Sequence, residues 1–252
     1  MKKISKASGK QAFSLVELSI VLVILGLLVG GVLSGQSLIR AAELRSVSTE
    51  YQRYTTAIGT FRDKYFALPG DMSNASSFWS TAGDGNGNGL VETTGVAGTN
   101  EISTFWIHLA NAALVEGSYT NVANTTMTAG TNNPRAKLSN AGWNVGSLGT
   151  VAVTSTTYFD GTYGNVYYFG GGTNAAAPTG LLRPEEAWNI DTKLDDGRPA
   201  GGAVVSLESQ GLAAGTACSS LTADNAVTLA ASVYSLANTS PTACSLIFKT
   251  GY

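Results

Sequence analysis

The fold of this chain is decided by residues 13–35, FSLVELSIVLVILGLLVGGVLSG, which are long and apolar enough to cross a bilayer. About 20 apolar residues span the hydrocarbon core of a membrane as an α-helix. No charged residue occurs from Leu18 to Leu33, and a basic stretch, MKKISKASGKQA, precedes the segment at residues 1–12. Because lysines keep the adjoining end of a membrane span in the cytoplasm, we expect the rest of the chain to be translocated.

Glu17 is the one charged residue inside the apolar segment. An ionised carboxylate in a bilayer is costly and is by default functional. If the peptide bond between Ala12 and Phe13 were cut, Phe13 would gain an α-amino group that is largely protonated at pH 7. Identical helices offset along their axes could then pair Glu17 of one chain with this amine of the next. On the residues alone, Glu17 is equally well an interfacial residue near the start of the helix.

Two simpler interpretations of the apolar segment are also open. It could be an ordinary secretory signal that is cleaved at its small residues, between Ser34 and Gly35. It could also be a plain membrane anchor, which would explain its length but not Glu17.

The helix is expected to continue beyond the membrane, because residues 36–66 contain no proline and one glycine, Gly59. Apolar residues recur there every three or four positions, as on one face of an α-helix. They are Leu44, Val47, Tyr51, Tyr54, Ile58, Phe61 and Tyr65. The charged residues of this stretch, Glu50 among them, fall largely off the stripe. The pattern predicts that the stripe packs onto a globular domain.

Pro69 and Gly70 are expected to end this helix. We therefore predict three parts: a leader at residues 1–12, a long helix at 13–68 with 13–35 in the membrane, and a globular domain at 69–252. Two alternatives to a single packed helix are a break within residues 30–35 and a coiled-coil dimer.

The globular part is expected to be rich in β-structure, with a helix at residues 102–114 and a short helical turn at 185–188. Strands are predicted at 151–153, 158–159, 165–169, 203–207, 227–236 and 246–248. Strands grouped after a single long helix indicate an α+β fold with an antiparallel sheet rather than an alternating α/β fold.

The composition excludes several classes of protein. Only 13% of the residues are charged, and the chain has 30 glycines, which is typical of secreted or surface-exposed β-rich proteins. A formal net charge of −2 disfavours nucleic-acid binding. One histidine, His108, and two cysteines cannot supply a cluster of imidazole or thiolate metal ligands, and an iron–sulfur cluster usually takes four thiolates.

The basic leader, the sequence AFSLVEL at residues 12–18 and the apolar run after it resemble the amino terminus of type IV pilins. That family includes the pseudopilins of type II secretion systems. In it, a membrane peptidase removes the leader on the cytoplasmic face, the new first residue is N-methylated, and a glutamate four positions later is needed for methylation and assembly. The resemblance implies cleavage between Ala12 and Phe13, N-methylation of Phe13, and a role for Glu17 in assembly.

Two features depart from the usual pilin pattern: Ala12 stands where glycine is usual, and the apolar helix lacks a proline. Two further stretches are similar to motifs of a subset of pilin-like proteins. They are KYFALPGD at residues 64–71 and DTKLDDGR at residues 191–198. They support the family and indicate no specific function.

Cys218 and Cys244 are expected to form a disulfide, because an even pair of cysteines in a translocated domain is normally oxidised. Such a bridge would stabilise the fold by roughly 3–4 kcal/mol. Many pilins close a carboxyl-terminal loop in this way, so the resemblance agrees. Two buried free thiols are the alternative.

Residues 84–92, DGNGNGLVE, match the start of a calcium-binding loop. Asp84, Asn86 and Asn88 supply oxygens at the expected spacing, and Glu92 could replace the carboxylate missing at the twelfth position, Gly95. Such a ligand set predicts weak calcium binding, at the millimolar levels of extracellular modules. A plain Asn/Gly turn is the alternative. A second candidate is the acidic group Asp191, Asp195 and Asp196, since some pseudopilins bind calcium near the carboxyl end.

Nothing in the sequence indicates an enzyme. His108 has no signalled catalytic partners, Glu185 and Glu186 are adjacent and do not face one cleft, and no phosphate-binding loop is present. The resemblance implies a structural filament subunit, made as a precursor, processed and polymerised through its helix. The alternative is a membrane-anchored or secreted binding module, adhesive or carbohydrate-binding, with a conventional signal.

The resemblance also implies partners and a location. The partners are copies of the chain, other pilin-like subunits, the prepilin peptidase and methyltransferase, and an inner-membrane assembly platform. The precursor would lie in the bacterial inner membrane with a cytoplasmic amino terminus and a periplasmic domain, before it enters a periplasmic or cell-surface filament. The sequence does not distinguish a pilus from a secretion pseudopilus, or a major from a minor subunit.

Overall fold

The computed structural model describes residues 14–92, 100–121, 128–151, 158–172, 178–208, 218–220 and 232–252. Its helices are α1 (Leu15–Tyr65), α2 (Glu101–Asn111) and α3 (Pro184–Leu194), with a short 3₁₀ helix at Ala75–Ser77. Its strands are β1 (Gly142–Val151), β2 (Gly161–Gly170), β3 (Val204–Glu208) and β4 (Cys244–Lys249). The predicted α+β fold is confirmed.

The chain separates into two compact units, Met1–Ala42 and Glu43–Tyr252. The division falls within α1 and not at its end, so the bounds proposed from sequence for the leader, helix and domain stay predictions. In the first unit, α1 is long and apolar enough to cross a membrane by length and composition. α1 is one helix of 51 residues, so the break considered within residues 30–35 is absent.

The second unit contains the amphipathic part of α1, and the predicted apolar stripe is confirmed there. Val47, Tyr54, Ile58 and Phe61 are buried, and the other members of the stripe pack partly buried against the same core. Glu50 is a correction to the predicted pattern, because it is buried too. Its carboxylate accepts hydrogen bonds from the indole nitrogen of Trp143 (2.7 Å) and the backbone N–H of Lys137 (3.0 Å).

Aromatic rings join α1 to the sheet. Tyr51 stacks on Phe248 with ring centroids 4.9 Å apart, and Tyr54 meets Trp143 edge to face at 5.6 Å. Tyr54 also meets Trp106 of α2 edge to face at 5.1 Å. Fully burying one such side chain contributes roughly 1.5–3 kcal/mol, so these contacts fix the helix on the sheet.

The sheet is antiparallel with the strand order β1-β2-β4-β3. Its register places Tyr167 of β2 opposite Phe248 of β4, on the face that packs against α1 and α2. The next pair, Tyr168 and Ile247, faces a second apolar cluster that includes Phe159. Because side chains alternate along a strand, one sheet serves both clusters.

Several predicted strand bounds are wrong. β1 begins at Gly142, well before the predicted run at 151–153, of which residues 152–153 lie outside the described residues. Residues 158–159 are not a strand, although Phe159 packs into the second cluster. The predicted strand at 227–236 lies outside the described residues up to 231, and its described end makes an isolated bridge between Tyr234 and Ser219.

The helix predictions were closer. α2 matches the predicted helix at 102–114 to within three residues at its end. α3 extends beyond the predicted turn at 185–188, because Pro184 opens it and the Glu186 carboxylate accepts the Arg183 N–H at 2.9 Å.

The predicted disulfide between Cys218 and Cys244 is present, with the two Cα atoms 5.0 Å apart. It joins residues 218–220 to the start of β4, which also forms a bridge with Leu182. The disulfide therefore holds an irregular segment against the central part of the sheet.

Candidate functional site

The start of α1 is closed by two local hydrogen bonds that involve Ser14. The backbone N–H of Ser14 donates to Oε2 of Glu17 at 2.9 Å, and the backbone N–H of Val16 donates to Oγ of Ser14 at 3.3 Å. Ser14 thus caps the helix through the N–H of its second residue, Val16, and the carboxylate of the third residue, Glu17, accepts the N–H of Ser14, which is half of a capping box. The sequence contains the signal for such a helix start, a serine followed three positions later by a glutamate, but the cap was not predicted from it.

Other hydroxyl groups in the apolar part of α1 are also bonded within the helix. Oγ of Ser19 donates to the carbonyl of Val16 at 2.9 Å, and Oγ of Ser37 donates to the carbonyl of Ser34 at 2.8 Å. Such bonds lower the cost of a hydroxyl in an apolar environment, because its donor is already satisfied.

The apolar side chains of this part of α1 are exposed along its whole length. Every large apolar residue from Leu15 to Leu33 is at least 50% accessible. A helix that is apolar all round is normally covered by lipid or by other helices. This surface and the cap at Ser14 and Glu17 form the candidate assembly site. Ala12 and Phe13 lie outside the described residues, so cleavage and methylation there stay predictions.

The four residues predicted to bind calcium are engaged in hydrogen bonds. Both carboxylate oxygens of Asp84 accept from Ser76, from its N–H and its hydroxyl, each at 2.7 Å, and these bonds lower the pKa of Asp84. Oδ1 of Asn86 accepts the backbone N–H of Asn88, and Oε2 of Glu92 accepts a hydrogen bond from the side-chain amide of Asn88. The calcium site stays a prediction.

Two buried carboxylates that sequence reasoning did not single out hold this loop. Asp71 accepts the N–H groups of Asn88 (3.0 Å) and Gly89 (2.9 Å). Glu101 accepts those of Asn86 (2.9 Å) and Glu92 (3.0 Å). Burial raises the pKa of both carboxyl groups, while these hydrogen bonds oppose the shift. Only the tertiary fold brings Asp71 and Glu101 to the loop, so no local sequence pattern predicts their role.

His108 is a buried structural residue. Nδ1 accepts the N–H of Gly70 at 2.9 Å, and Nε2 lies 2.9 Å from the carbonyl oxygen of Gly83. The proton is therefore on Nε2, which donates to Gly83. Burial lowers the pKa of this ring, so the neutral form is favoured. The ring therefore joins two loop segments, those that contain Gly70 and Gly83.

Asp191, Asp195 and Asp196 come together after α3, with one carboxylate oxygen of each within 4.8 Å of the others. Asp191 is fully buried and accepts from the Tyr234 hydroxyl at 2.8 Å. Burial raises its pKa to about 7. Asp195 accepts the N–H groups of Ala203 and Val204, and Asp196 that of Arg198. Each carboxylate thus has its own donor in the fold, and calcium binding here also stays a prediction.

Comparison with protein families places a known motif on the apolar helix and on the residues just before it. Residues 7–33 match the family described as the prokaryotic N-terminal methylation motif. No curated protein and no solved structure matched the chain. The matched range contains Ala12, Phe13, Ser14 and Glu17, and an apolar helix that carries this motif fits a membrane-anchored precursor. The amino-terminal part of this chain therefore carries the signature of type IV pilins and pseudopilins.

Proposed function

We propose that this chain is a structural subunit of a type IV pilus-like or type II secretion pseudopilus filament. The observation that carries the proposal is the methylation motif at residues 7–33, on a helix whose apolar side chains are exposed all round. A signature of this kind suggests a structural subunit rather than an enzyme. The chain is made as a precursor and polymerises through α1.

Processing precedes assembly in this proposal. The precursor lies in the inner membrane with its amino terminus in the cytoplasm and residues 43–252 in the periplasm. A prepilin peptidase cleaves between Ala12 and Phe13 and the new amine of Phe13 is methylated. An inner-membrane assembly platform then moves the subunit out of the bilayer.

Assembly replaces lipid around the helix with other helices. Burial of apolar surface is the main driving force, and the contact is heterologous because an open filament requires one. The Glu17 carboxylate of one subunit pairs with the Phe13 amine of its neighbour. In the water-poor filament interior this pair sets the axial register more than it adds net stability.

The mass of the mature amino terminus tests this proposal. We expect filaments sheared from cells that express the full chain to begin with N-methylated Phe13. A mature chain that begins at Gly35, or one that keeps residues 1–12, contradicts it. The first of these results supports a secreted binding module with a conventional signal instead.

Replacement of Glu17 tests the assembly step separately. Glu17→Ala should leave the chain in the membrane fraction and abolish filaments, because the carboxylate is lost. Ser37→Ala is the matched control on the same helix, since the Ser37 hydroxyl bonds within the helix. Normal filaments from the Glu17→Ala chain would count against the role of Glu17.

A further inference from the structure

We propose that Asp71 protects two Asn–Gly sequences from deamidation, the spontaneous loss of the amide group of an asparagine side chain. The two sequences are Asn86-Gly87 and Asn88-Gly89, in the loop at residues 84–92. The proposal concerns the chemical durability of the folded chain, so it goes beyond the proposed function and does not depend on it.

Deamidation at an Asn–Gly sequence begins at the backbone nitrogen of the glycine. That nitrogen gives up its proton to solvent and bonds to Cγ of the asparagine, and the side-chain NH₂ group takes up a proton and leaves as ammonia. Water then adds to a carbonyl carbon of the resulting succinimide ring and breaks a C–N bond, which leaves aspartate or isoaspartate. Glycine makes the attack fast, because it has no Cβ to hinder the approach and its backbone rotates freely.

The conformation of the loop favours glycine at both positions. Gly87 has a φ of +74° and Gly89 a φ of +86°, in the left-handed region where most residues with a Cβ are strained. The loop therefore carries the sequences that are most prone to this reaction, and protection has to come from their surroundings.

The reacting nitrogen of the second sequence is held by the Asp71 side chain. The Gly89 N–H donates to Oδ2 of the buried Asp71 at 2.9 Å, and the Asn88 N–H donates to Oδ1 at 3.0 Å. Loss of the Gly89 proton would break its bond and place a nitrogen anion against a carboxylate. Because a neighbouring like charge disfavours the charged form, Asp71 keeps this nitrogen protonated and unreactive.

The side chain of Asn88 is fixed as well. Its Oδ1 accepts the Leu90 N–H at 2.8 Å, and its Nδ2 donates to Oε2 of Glu92 at 3.2 Å. Ring closure moves Cγ onto the Gly89 nitrogen and releases the amide, so these bonds must break before the reaction proceeds. The nucleophile and its target are thus each bonded to other groups.

The first sequence is protected through a different atom of Asp71. The Gly87 N–H donates to the backbone carbonyl of Asp71 at 3.0 Å, and Oδ1 of Asn86 accepts the Asn88 N–H at 2.9 Å. Replacing the Asp71 side chain leaves this backbone acceptor in place. The two sequences therefore form an internal comparison, in which only Asn88-Gly89 depends on the carboxylate.

Deamidation rates of the full chain in mild detergent at slightly alkaline pH test this proposal, with aspartate and isoaspartate at each site measured by mass spectrometry of peptides. Both asparagines should react at least about ten-fold more slowly in the folded chain than in the same chain unfolded in guanidinium, the effect expected from one hydrogen bond to a fixed acceptor. Asp71→Ala should speed the reaction of Asn88 about ten-fold and leave that of Asn86 within about two-fold.

Glu101→Ala is the matched control, because it removes the other buried carboxylate of the loop. Glu101 accepts the N–H groups of Asn86 and Glu92, and neither is a reacting nitrogen. This variant should therefore leave the ratio of the two rates unchanged. Circular dichroism checks that each variant is folded.

Three results would each overturn the proposal. They are an unchanged rate at Asn88 in Asp71→Ala, equal acceleration at both asparagines in that chain, and a selective acceleration of Asn88 in Glu101→Ala. A folded unmodified chain that reacts as fast as the unfolded one would overturn it too. Because this last comparison uses no substitution, it decides the matter even if Asp71→Ala does not fold.

Discussion

The apolar side chains of α1 are exposed in its first part and buried in its second, although the two parts form one continuous helix. In the first unit Leu27 is 73% accessible, whereas in the second Phe61 is fully buried. The first part is apolar all round, and the second is apolar on the stripe that faces the sheet. The second part therefore finds its partner within the chain, while the first exposes an apolar surface of the kind that is normally covered by lipid or by other helices.

The carboxylates of the same helix show the same contrast. Glu50 is buried and its oxygens accept from Trp143 and Lys137, both distant in the sequence. Glu17 is exposed and accepts from Ser14, three residues away. A carboxylate with tertiary partners stabilises the folded unit, whereas one whose described hydrogen bond is local stabilises only the start of its own helix.

The largest effect is expected from paired truncations in the two parts of α1. Phe61→Ala should lower the free energy of unfolding by about 3–5 kcal/mol, because it leaves a cavity in the core. Leu27→Ala should change it by less than about 0.5 kcal/mol, because Leu27 has no partner in the described part of the fold. Urea unfolding of the full chain in mild detergent, followed by tryptophan fluorescence, measures both. Equal losses would mean that the apolar part also has an intramolecular partner.

The disulfide should stabilise only the second unit. Replacing both Cys218 and Cys244 with serine should lower its free energy of unfolding by about 2–4 kcal/mol, because the unfolded chain gains freedom. The same measurement on residues 43–252 alone should give the same loss. A larger loss in the full chain would indicate that the membrane part contributes to the fold of the domain.

The next largest effect is expected from replacing a buried carboxylate of the second unit. Glu50→Ala should cost about 2–3 kcal/mol, because it leaves the buried Trp143 N–H and the Lys137 N–H without an acceptor. Glu43→Ala is the matched control on the same helix and should cost about 0.5 kcal/mol, since its bond to the Ser139 hydroxyl is exposed. Chemical denaturation of residues 43–252 compares the two, and similar losses would contradict the structural role of Glu50.

Features that depend on the local sequence or on composition could be predicted, whereas features that depend on tertiary contacts could not. The apolar span, the stripe on α1 and the cysteine pair are local or compositional signals, and the structure confirmed them. β1 escaped detection because Gly142, Gly146 and Gly149 interrupt its alternation, and its register comes from pairing with β2.

The buried carboxylates could not be predicted for a related reason. Asp71, Glu101 and Glu50 find their donors on segments that are distant in the sequence, so neither spacing nor residue type reveals them. The cap at Ser14 is the exception, because its pattern is local and readable. The resemblance to pilins gave a role to the charge of Glu17, and its hydrogen bond to Ser14 was not predicted.

A smaller effect, pH dependence, should also be confined to the second unit. The pKa of Asp191 is about 7 in the folded chain against an ordinary value of 3.8, because burial disfavours its charged form. Folding is therefore most favoured by this group below its ordinary pKa, and the contribution is lost as the pH rises through about 7. The charges of Asp196 and Asp195 also raise the pKa of Asp191, whereas the hydrogen bonds from the Tyr234 hydroxyl and the Gly197 N–H oppose the shift.

The melting temperature of residues 43–252 between about pH 5 and about pH 8 measures this dependence. Asp191→Asn should reduce the fall in melting temperature on going to high pH. His108 acts in the opposite sense: burial lowers its pKa from 6.5, so its contribution is present above that value and is lost as the pH falls. An unchanged pH profile in the Asp191→Asn chain would show that the carboxyl is not the controlling group.

The smallest effect is expected from calcium at residues 84–92. A weak site that is half occupied stabilises the folded unit by about 0.4 kcal/mol, so millimolar calcium should raise the melting temperature slightly. Asp84→Asn should remove this increase, whereas Asp191→Asn should keep it if the loop is the binding site. The reverse pattern would move the site to the acidic group after α3, and a melting temperature that calcium and chelator leave unchanged would contradict both. Because both candidates lie in the second unit, residues 43–252 alone should respond to calcium as the full chain does.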